Sequence, residues 1–461
     1  ISISLLVIYL IISFSIGNSS LSSLKNILPY QTKQVLKEIF FPYKIINERE
    51  NDIKLRDKEI AERVNKLKNI IIRDDNSLKK SNKNIVFIKH RTDEFDKFSI
   101  DYFKPEGVSF KYGITNLNYY GSAYLDYYKN KIFLLTAIGI TGYSERDNNE
   151  NIVFNQIPNN IENFINENQF YKSTKLSVKD LKIFDEKVFV SLTNEMKNDC
   201  WNTIIIYAEL NFQRLNFKEL FDPKECVSKN NEDGELNFHQ TGGRIVNLNK
   251  NNILLTVGDY RYRKLAQQND SYFGKIIKIN LENNKFEIFS KGHRNIQGLY
   301  FDKSKNIILA TEHGPKGGDE INIIKLDNTD VPNYGWPISS YGEHYKKTKE
   351  KIKKYPLLKS HKDHGFIEPI KYFTPSIGIS EITKVKDDQY IFSSLRAKSI
   401  YFFNLDKNNK FSNLEKVELG RRIRDVINYD EKILLFLEGA ENDGDEEEIY
   451  PNIALIDLKS F

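Results

Sequence analysis

Short apolar runs, each ending in a polar loop, recur along the chain from about residue 84 onward. Six of these runs share one form, an apolar stretch that leads into a loop containing Asp, Glu, Arg or Gly. They are KIFLLTAIG from 131, KVFVSLTNE from 187, NILLTVGDY from 252, NIILATEHG from 306, QYIFSSLRA from 389 and KILLFLEGA from 432. Stretches of β-branched and aromatic residues bounded by Gly, Asn and Asp are typical of β-strands. No long amphipathic helical pattern interrupts them, so the pattern predicts an all-β domain.

A second apolar run follows most of the first runs. These are TIIIYAEL from 203, GKIIKINL from 274, EINIIKL from 320, SIYFFNL from 399 and NIALIDL from 452, with NIVFNQI from 151 as the weaker candidate for the first repeat. Six copies of one strand–loop–strand unit are hard to place in a sandwich, and they favour a six-bladed β-propeller around a central channel. The stretch KNIVFIKH at 83–90 is expected to help close the ring.

The first 83 residues have a different pattern. Residues 1–17 are an uncharged apolar run, shorter than the roughly 20 residues that comfortably span a bilayer, which indicates a signal peptide or a membrane anchor. Residues 18–83 are charged and helical in pattern at 47–75, which predicts a helical or stalk segment before the propeller at 84–461. Either interpretation of 1–17 sends the rest of the chain to the periplasm or the extracellular space, with membrane contact only through the N-terminal segment.

Composition narrows the class of function. The 461 residues are 40% hydrophobic and 13% aromatic, which suits a large core. The net charge of +5 comes from scattered lysines, and no basic stripe follows the path that a phosphate backbone would take. Nucleic-acid binding is therefore not expected.

Cys200 and Cys226 are the only cysteines. The segment between them has the pattern of strand, turn and strand, so its two ends can meet at the base of a hairpin. In an exported chain this predicts a Cys200–Cys226 disulfide, with two buried free thiols as the alternative. Their spacing matches neither CxxC nor a Cys/His zinc site.

Four polar segments carry the candidate chemistry. They are HQTGGRIV (239–246) together with VGDY (257–260), GHRN (292–295), EHGPKGGDE (312–320) and GRRIRD (420–425). In a propeller, equivalent strand ends converge on one face of the channel, so we expect these segments to share one site.

The residue types in these segments point to three kinds of chemistry. Arg294, Arg422 and Arg424 near one channel mouth would bind an acidic ligand, because guanidinium groups bind carboxylates with two parallel hydrogen bonds. His239 suits a general base near neutral pH, and Asp259 could orient it. The Gly314–Pro315 turn offers two consecutive carbonyls, which are hard oxygen ligands for Ca²⁺. The residues thus predict an anion site, a base and a candidate cation site.

The stretches GHRNIQGL, TEHGPKGGDEINII, NYGWP (333–337) and GRRIRDV occur in this order between about 236 and 430. They resemble the soluble glucose and aldose sugar dehydrogenases that depend on pyrroloquinoline quinone (PQQ). The resemblance implies a six-bladed β-propeller with Ca²⁺-bound PQQ, a small-molecule sugar substrate and an external electron acceptor. It also implies hydride transfer from the anomeric carbon of the sugar to PQQ while a His removes the hydroxyl proton. The oligomeric state stays open.

The resemblance assigns the catalytic positions one by one. His239 matches the catalytic base and Asp259 its acidic partner. Arg294 and Asn295 match the pair that contacts the quinone oxygens, which makes Arg294 both a catalytic and a cofactor-binding residue.

Further positions follow for the cofactor and the metal. Gly314 and Pro315 match the backbone-carbonyl ligands of Ca²⁺, and Arg422 and Arg424 match the pair near the PQQ carboxylates. Arg396, in SSLRAK, occupies the place of the usual PQQ-binding Lys, which keeps the charge but changes the geometry. The following acidic pair of the motif, Asp319 and Glu320, is interpreted as structural support.

The chain also departs from the pattern of the family. HQTGGR has one residue more between His and Arg than HQSGR, and we expect a bulge at Gly242–Gly243 to absorb it, so that the His239 imidazole still faces the channel near Arg294. No Gln-bearing GQGGLL loop is found, although residues 116–126 stand near its place, and Ile296 replaces the usual Pro. Two alternatives therefore remain beside the dehydrogenase: a PQQ-free propeller that binds a carbohydrate or a protein, and a Ca²⁺-dependent hydrolase such as a lactonase.

Overall fold

The computed structural model describes residues 54–59, 62, 84–106, 122–145, 150–165, 169, 177–346, 348–438 and 451–458. The chain divides into two compact units, Ile1–Ile70 and Ile71–Phe461. In the first unit, residues 54–59 form a helix, while the predicted signal or anchor and nearly all of the predicted stalk lie outside the described residues. None of the helices in the described ranges has the length and apolar character needed to cross a membrane.

The described part of the second unit is built from antiparallel β-sheets. A nine-stranded sheet contains two groups of strands from opposite ends of the chain. In chain order they are β1–β6 (Ile85–Glu94, Phe98–Pro105, Ala123–Tyr128, Lys131–Thr136, Thr141–Glu145, Asn151–Ile157) and β23–β25 (Arg422–Tyr429, Lys432–Glu438, Asn452–Leu458).

Four further sheets have four strands each, paired in chain order. They are β7–β10 (Val178–Phe184, Lys187–Lys197, Cys200–Glu209, Lys218–Phe221), β11–β14 (Gly242–Asn249, Asn252–Val257, Lys275–Asn280, Phe286–Lys291), β15–β18 (Ile296–Asp302, Ile307–Glu312, Asp319–Lys325, Lys371–Phe373) and β19–β22 (Ile379–Lys386, Gln389–Ser394, Ser399–Leu405, Phe411–Glu418).

The nine-stranded sheet joins the two ends of the domain. Strands β3 to β6 form one four-stranded unit, and β23 to β25 form another with β2 as its outer strand. β1 pairs with β2 on one side and with β6 on the other, so that Phe87 lies opposite both Pro105 and Ile152. The strand at 83–90 that was predicted to help close the ring is therefore β1, and it ties the last unit to the first.

The first strands of these units, β3, β7, β11, β15, β19 and β23, contact one another in a closed ring. Apolar clusters fill the space between neighbouring sheets; in one of them Phe189 and Ile205 pack with Leu255 and Ile277. Since each middle strand is covered on both faces, its sequence is a continuous apolar run rather than an alternating one. The fold is thus all-β and propeller-like, as the sequence predicted.

The predicted strands can be compared with those of the structure. The six first-type runs form β4, β8, β12, β16, β20 and β24, the second strand of each unit, and five second-type runs form the third strands. The assignment of NIVFNQI was wrong, because it forms β6, the fourth strand of its unit, and the third strand is Thr141–Glu145. TGYSE has only one large apolar residue, so no apolar run marks this strand.

Helices are few and short in the described ranges. The α-helix Lys349–Lys354 lies in the long connection between β17 and β18, and 3₁₀ turns occur at Ile161–Asn163, Arg263–Gln267 and His361–His364.

The predicted disulfide is confirmed. Cys200 and Cys226 are bonded, with their Cα atoms 5.3 Å apart. Cys200 opens β9, which pairs with β10, and Trp201 pairs with Val227 beyond the hairpin. The two ends of the segment therefore meet as the pattern of strand, turn and strand required.

A buried charge cluster links four of the inner strands, β7, β11, β19 and β23. Arg244 Nη1 lies 3.0 Å from Asp180, 2.8 Å from Glu381 and 2.7 Å from Asp425. Burial raises the pKa of Asp180 to about 7 and that of Glu381 to about 8, although Arg244 pulls both down. A cavity of about 400 Å³ opens at one end of the channel, and one of about 810 Å³, to which Arg244 contributes, opens at the other.

Candidate functional site

The smaller cavity lies at the mouth of the channel where all six inner strands begin. A residue at or just before the start of each inner strand lines it: Ser122, Ser177, Thr241, Asn295, Gly378 and Arg422. Loops from several sheets therefore converge on one space, as the propeller pattern predicted. The same cavity is lined by His239, Arg294, Gly314, Arg396 and Arg424, whereas Asp259 and Pro315 are not among its lining residues.

The predicted bulge is present where β11 begins. Gly242 pairs with Val257 but Ile245 pairs with Leu255, so the register shifts between them. Gly242 and Gly243 have φ angles of 63° and 117°, a region that favours glycine. A Cβ at Gly243 would collide with the Lys179 side chain. The extra residue of HQTGGR is thus absorbed beyond the loop that carries His239.

His239 is an exposed residue on the loop before β11. Its backbone is fixed on both sides, because its N–H donates to Asn237 Oδ1 (2.8 Å) and its carbonyl accepts from Asn295 Nδ2 (3.0 Å). Asn295 Oδ1 also accepts from Gly242 N (3.1 Å). The fully buried Asn295 therefore holds the His239 loop to the bulge, a role that the sequence did not reveal.

Asp259 is fully buried beneath this loop. Its carboxylate accepts from Trp336 Nε1 (2.8 Å) and from Arg261 N (2.9 Å). With the Gln240 amide turned so that its nitrogen faces the carboxylate, Gln240 donates to Asp259 (2.9 Å) and accepts from Arg294 Nη2 (3.0 Å). Burial raises the pKa of Asp259, and the nearby Arg294 opposes that shift. The structure thus connects Asp259 to Arg294 through Gln240, the neighbour of His239.

Arg294 is held in one orientation. Its Nη1 donates to His313 O (2.8 Å), and its guanidinium lies 5.5 Å from the centre of the Trp336 ring. Its backbone N–H donates to Glu312 Oε1, while Glu312 Oε2 lies 2.9 Å from His293 Nδ1. Burial lowers the pKa of Arg294, with Asp259 opposing the shift. A cation fixed by carbonyl, amide and aromatic partners is preorganised to meet negative charge.

Arg422 and Arg424 share one buried carboxylate. Glu438 accepts from Arg422 Nε (2.8 Å) with one oxygen and from Arg424 Nε (2.7 Å) with the other. Burial would raise the pKa of Glu438, but the two guanidinium groups hold it at about 2. Arg424 Nη1 also donates to Gln297 Oε1 (3.2 Å). Because the carboxylate engages both Nε atoms, Glu438 orients both guanidinium groups at the cavity wall.

Arg396 is exposed at the rim of the cavity. Its backbone N–H donates to Ile377 O (3.0 Å). Gly378, at φ 66°, packs so closely on Arg396 that a Cβ there would lie 2.9 Å from the Arg396 backbone nitrogen. The glycine therefore lets the 395–398 loop approach the cavity.

The loop at Gly314 and Pro315 is held by Asp319. Asp319 Oδ1 accepts from Gly314 N (3.1 Å) and Oδ2 from Gly378 N (2.7 Å). The Pro315 carbonyl accepts from Ser376 Oγ (3.2 Å). The described ranges contain no group of three or more His, Cys, Asp or Glu side chains arranged for a metal ion. A cation at this loop would thus be held by backbone carbonyls and by oxygens of a ligand.

The charged side chains that line the cavity indicate the kind of ligand that fits it. Six cationic side chains line it, against two carboxylates. The cations are Lys179, Arg261, Arg294, Arg396, Arg422 and Arg424, and the acids are Asp319 and Glu438. Since Glu438 already lies between two of the arginines, the excess of positive charge fits a ligand with several carboxylates.

Parts of this sequence are similar to the sequences of known proteins. The family model described as glucose/sorbosone dehydrogenase matches residues 183–445. The aldose sugar dehydrogenase YliI of Escherichia coli (strain K12) is 28% identical over 207 residues, which cover 40% of this chain and 53% of that protein. The quinoprotein glucose dehydrogenase B of Acinetobacter calcoaceticus is 32% identical over 129 residues, 22% of this chain and 26% of that protein. The chain thus spans about half the length, or less, of these curated relatives.

The fold has relatives among solved structures. One described as the crystal structure of glucose dehydrogenase superposes with a TM-score of 0.58 at 21% sequence identity, over 72% of this chain and 95% of that one. At this identity the likeness concerns the fold alone. With the family model covering more than half of the sequence, the chain belongs to the glucose/sorbosone dehydrogenase family.

Proposed function

We propose that the protein oxidises an aldose sugar at its anomeric carbon with PQQ bound at the mouth of a six-bladed β-propeller. The observation that carries the proposal is the cationic cavity, in which five arginines surround the space beside His239. PQQ is a tricarboxylate with a quinone, so it needs both anion recognition and a fixed donor at the quinone. Two relatives with the names aldose sugar dehydrogenase and quinoprotein glucose dehydrogenase support this choice.

The residues present fit the cofactor. Arg396, Arg422 and Arg424 would receive its carboxylates, and the Glu438 carboxylate orients two of these guanidinium groups. Arg294 and Asn295 would contact the quinone oxygens, since both line the cavity and each donates a side-chain hydrogen bond to a backbone carbonyl that fixes it. The Gln-bearing loop of the family falls near residues 116–126, of which 116–121 lie outside the described residues.

His239 performs the proton transfer in this proposal. Bound PQQ would supply the acceptor for the hydride that leaves the anomeric carbon. A sugar hydroxyl is a weak acid, so a ring nitrogen of His239 takes its proton as the hydride leaves. Arg294 keeps its charge aimed at the cavity because Gln240, His313 and Trp336 hold it. Asp259 supports the same group through Gln240, in addition to the partnership with His239 that the family resemblance implies.

Calcium is part of the proposal. The Gly314 and Pro315 carbonyls are the donors that the chain would supply, and Asp319 holds the Gly314 amide in place.

The location of the protein rests on residues 1–17 alone, which lie outside the described residues. We propose export to the periplasm or the extracellular space, where an external acceptor would take the electrons.

Removal of calcium should weaken the cofactor site. We expect a chelator to raise the Kd of PQQ by tenfold or more, because the metal adds charge-assisted contacts that the arginines do not replace. The measurement is a titration of purified protein with PQQ, once with added Ca²⁺ and once with excess chelator. Mg²⁺ in place of Ca²⁺ serves as the control for ionic strength.

Two outcomes would change the proposal. Equal PQQ affinities with and without Ca²⁺ would remove calcium from it. No saturable binding of PQQ under either condition would favour a propeller of the same family that binds a carbohydrate or a protein without catalysis.

A further inference from the structure

One aromatic side chain at the cavity has no part in the chemistry described above. Tyr345 lines the cavity but is 66% exposed, on the 338–365 loop. At the wall of a cavity an aromatic ring can serve recognition, since its apolar face gains when a ligand covers it.

The loop holds Tyr345 firmly at this place. Just before it, Glu343 and Lys316 exchange two backbone hydrogen bonds of 2.9 Å. The buried His344 places Nε2 2.7 Å from Tyr355 O. Both contacts restrain the backbone immediately before the ring, so less backbone freedom is lost there when a ligand binds.

The same loop is docked on the segment that precedes His239. Lys351 pairs with Glu235, and Lys354 Nζ lies 2.9 Å from Asp233 Oδ1. The Tyr355 hydroxyl donates to Asp233 Oδ1 at 2.9 Å. These ion pairs and hydrogen bonds fix the position of the Tyr345 loop relative to the proposed base.

Arg261 connects Tyr345 to the floor of the site. Its guanidinium lies 5.8 Å from the centre of the Tyr345 ring, and its Nε donates to the Gln240 amide oxygen at 3.0 Å. Tyr260 and Arg261 have φ angles of 51° and 71°, a conformation that non-glycine residues adopt rarely and that collects at functional sites. The wall beside His239 therefore combines an apolar ring, a cation and the side chain of Phe238.

We propose that Tyr345 is a specificity-determining residue that receives the apolar C–H face of the sugar ring. A pyranose has such a face between hydroxyls that need polar partners, and Arg261 beside the ring and Asn237 at the same cavity would provide them. The inference rests on the proposed function, whose substrate it places against Tyr345 rather than against Arg422 and Arg424.

The test is a comparison of Tyr345→Ala and Tyr345→Phe with the wild type, each loaded with PQQ and Ca²⁺. We expect Tyr345→Ala to raise the KM for glucose about tenfold, because the sugar loses the apolar contact that buries the ring. The turnover number and the Kd of PQQ should stay within about twofold, because the variant keeps His239 and the arginines proposed to hold the cofactor. Tyr345→Phe should stay close to wild type, since the ring face is kept. Ile352→Ala, an exposed apolar residue of the same loop outside the cavity, is the matched control.

The outcomes separate this inference from the function on which it rests. An unchanged KM in Tyr345→Ala would overturn it, and so would a rise in the Kd of PQQ as large as the rise in KM, because the ring would then cover the cofactor. If the wild type shows no sugar-dependent reduction of PQQ, the proposed function fails. Calorimetric titration of both chains with glucose then decides the inference: weaker binding by Tyr345→Ala supports it, and equal or absent binding by both overturns it.

Discussion

Replacing His239 by Ala should lower the turnover number about 10²–10⁴-fold, the usual size of a general acid–base contribution. The Kd of PQQ should stay near wild type, because in the proposal the arginines, and not the exposed His239, hold the cofactor. Steady-state kinetics with glucose and a PQQ titration of the same preparation measure the two quantities. His364→Ala, an exposed histidine outside the cavity, is the matched control and should behave as wild type.

Asp259 gives a graded comparison. Asp259→Asn should cost less activity than His239→Ala. Its amide keeps the shape but weakens the hydrogen bonds from Trp336 and Arg261 and removes a charge close to Arg294. A His239→Ala protein that reduces PQQ with sugar at the wild-type rate would show that another group, or none, takes the proton.

Removing Arg422 or Arg424 should have the largest effect on the affinity for PQQ. Arg422→Ala and Arg424→Ala should each raise the Kd of PQQ roughly tenfold or more, since a charge-assisted hydrogen bond to a carboxylate is worth on the order of 1.5–3 kcal/mol. Arg424 should matter at least as much as Arg422, because its side chain is 15% exposed against 25% and the cost of losing a buried contact is greater. Equilibrium titration with PQQ measures both.

Two further variants separate charge from orientation. Arg421→Ala removes a neighbouring arginine that does not line the cavity, so the Kd of PQQ should not change. Glu438→Gln keeps both arginines but loses the carboxylate that binds their Nε atoms. It should weaken PQQ binding less than either arginine deletion and lower the melting temperature, because two half-buried cations lose their counter-charge. If the Kd of PQQ equals that of the wild type in all four variants, the cofactor does not bind beside Arg422 and Arg424.

The sequence predicted the middle strands of the fold better than the outer ones. The second strands, such as β12 and β16, are covered on both faces, so their apolar runs are continuous and visible. The inner strands, such as β7 and β11, line the channel and carry polar residues like Asp180 and Arg244 where a core strand would be apolar. The contacts between these strands join distant parts of the chain in a ring, and no local sequence pattern marks them.

The sequence also predicted part of the cavity, namely the residues that stand in recognisable motifs. The chemically distinctive residues stand in recognisable motifs, and the structure brings His239, Arg294 and Arg424 to one cavity. The residues that hold them are ordinary in sequence: Glu438 ends a strand, and Gln240 is one of many amides. Trp336 stands in the NYGWP motif, but nothing in that motif indicates that its indole binds Asp259. Such support depends on contacts between distant segments, which one sequence alone does not display.

The most direct test of the account is an absorbance spectrum of the purified protein loaded with PQQ and Ca²⁺, recorded before and after addition of an aldose. The account predicts that the spectrum of the oxidised quinone bleaches and that of the reduced quinone appears only when sugar is added. A PQQ-loaded protein whose spectrum stays unchanged with every aldose tested would contradict it.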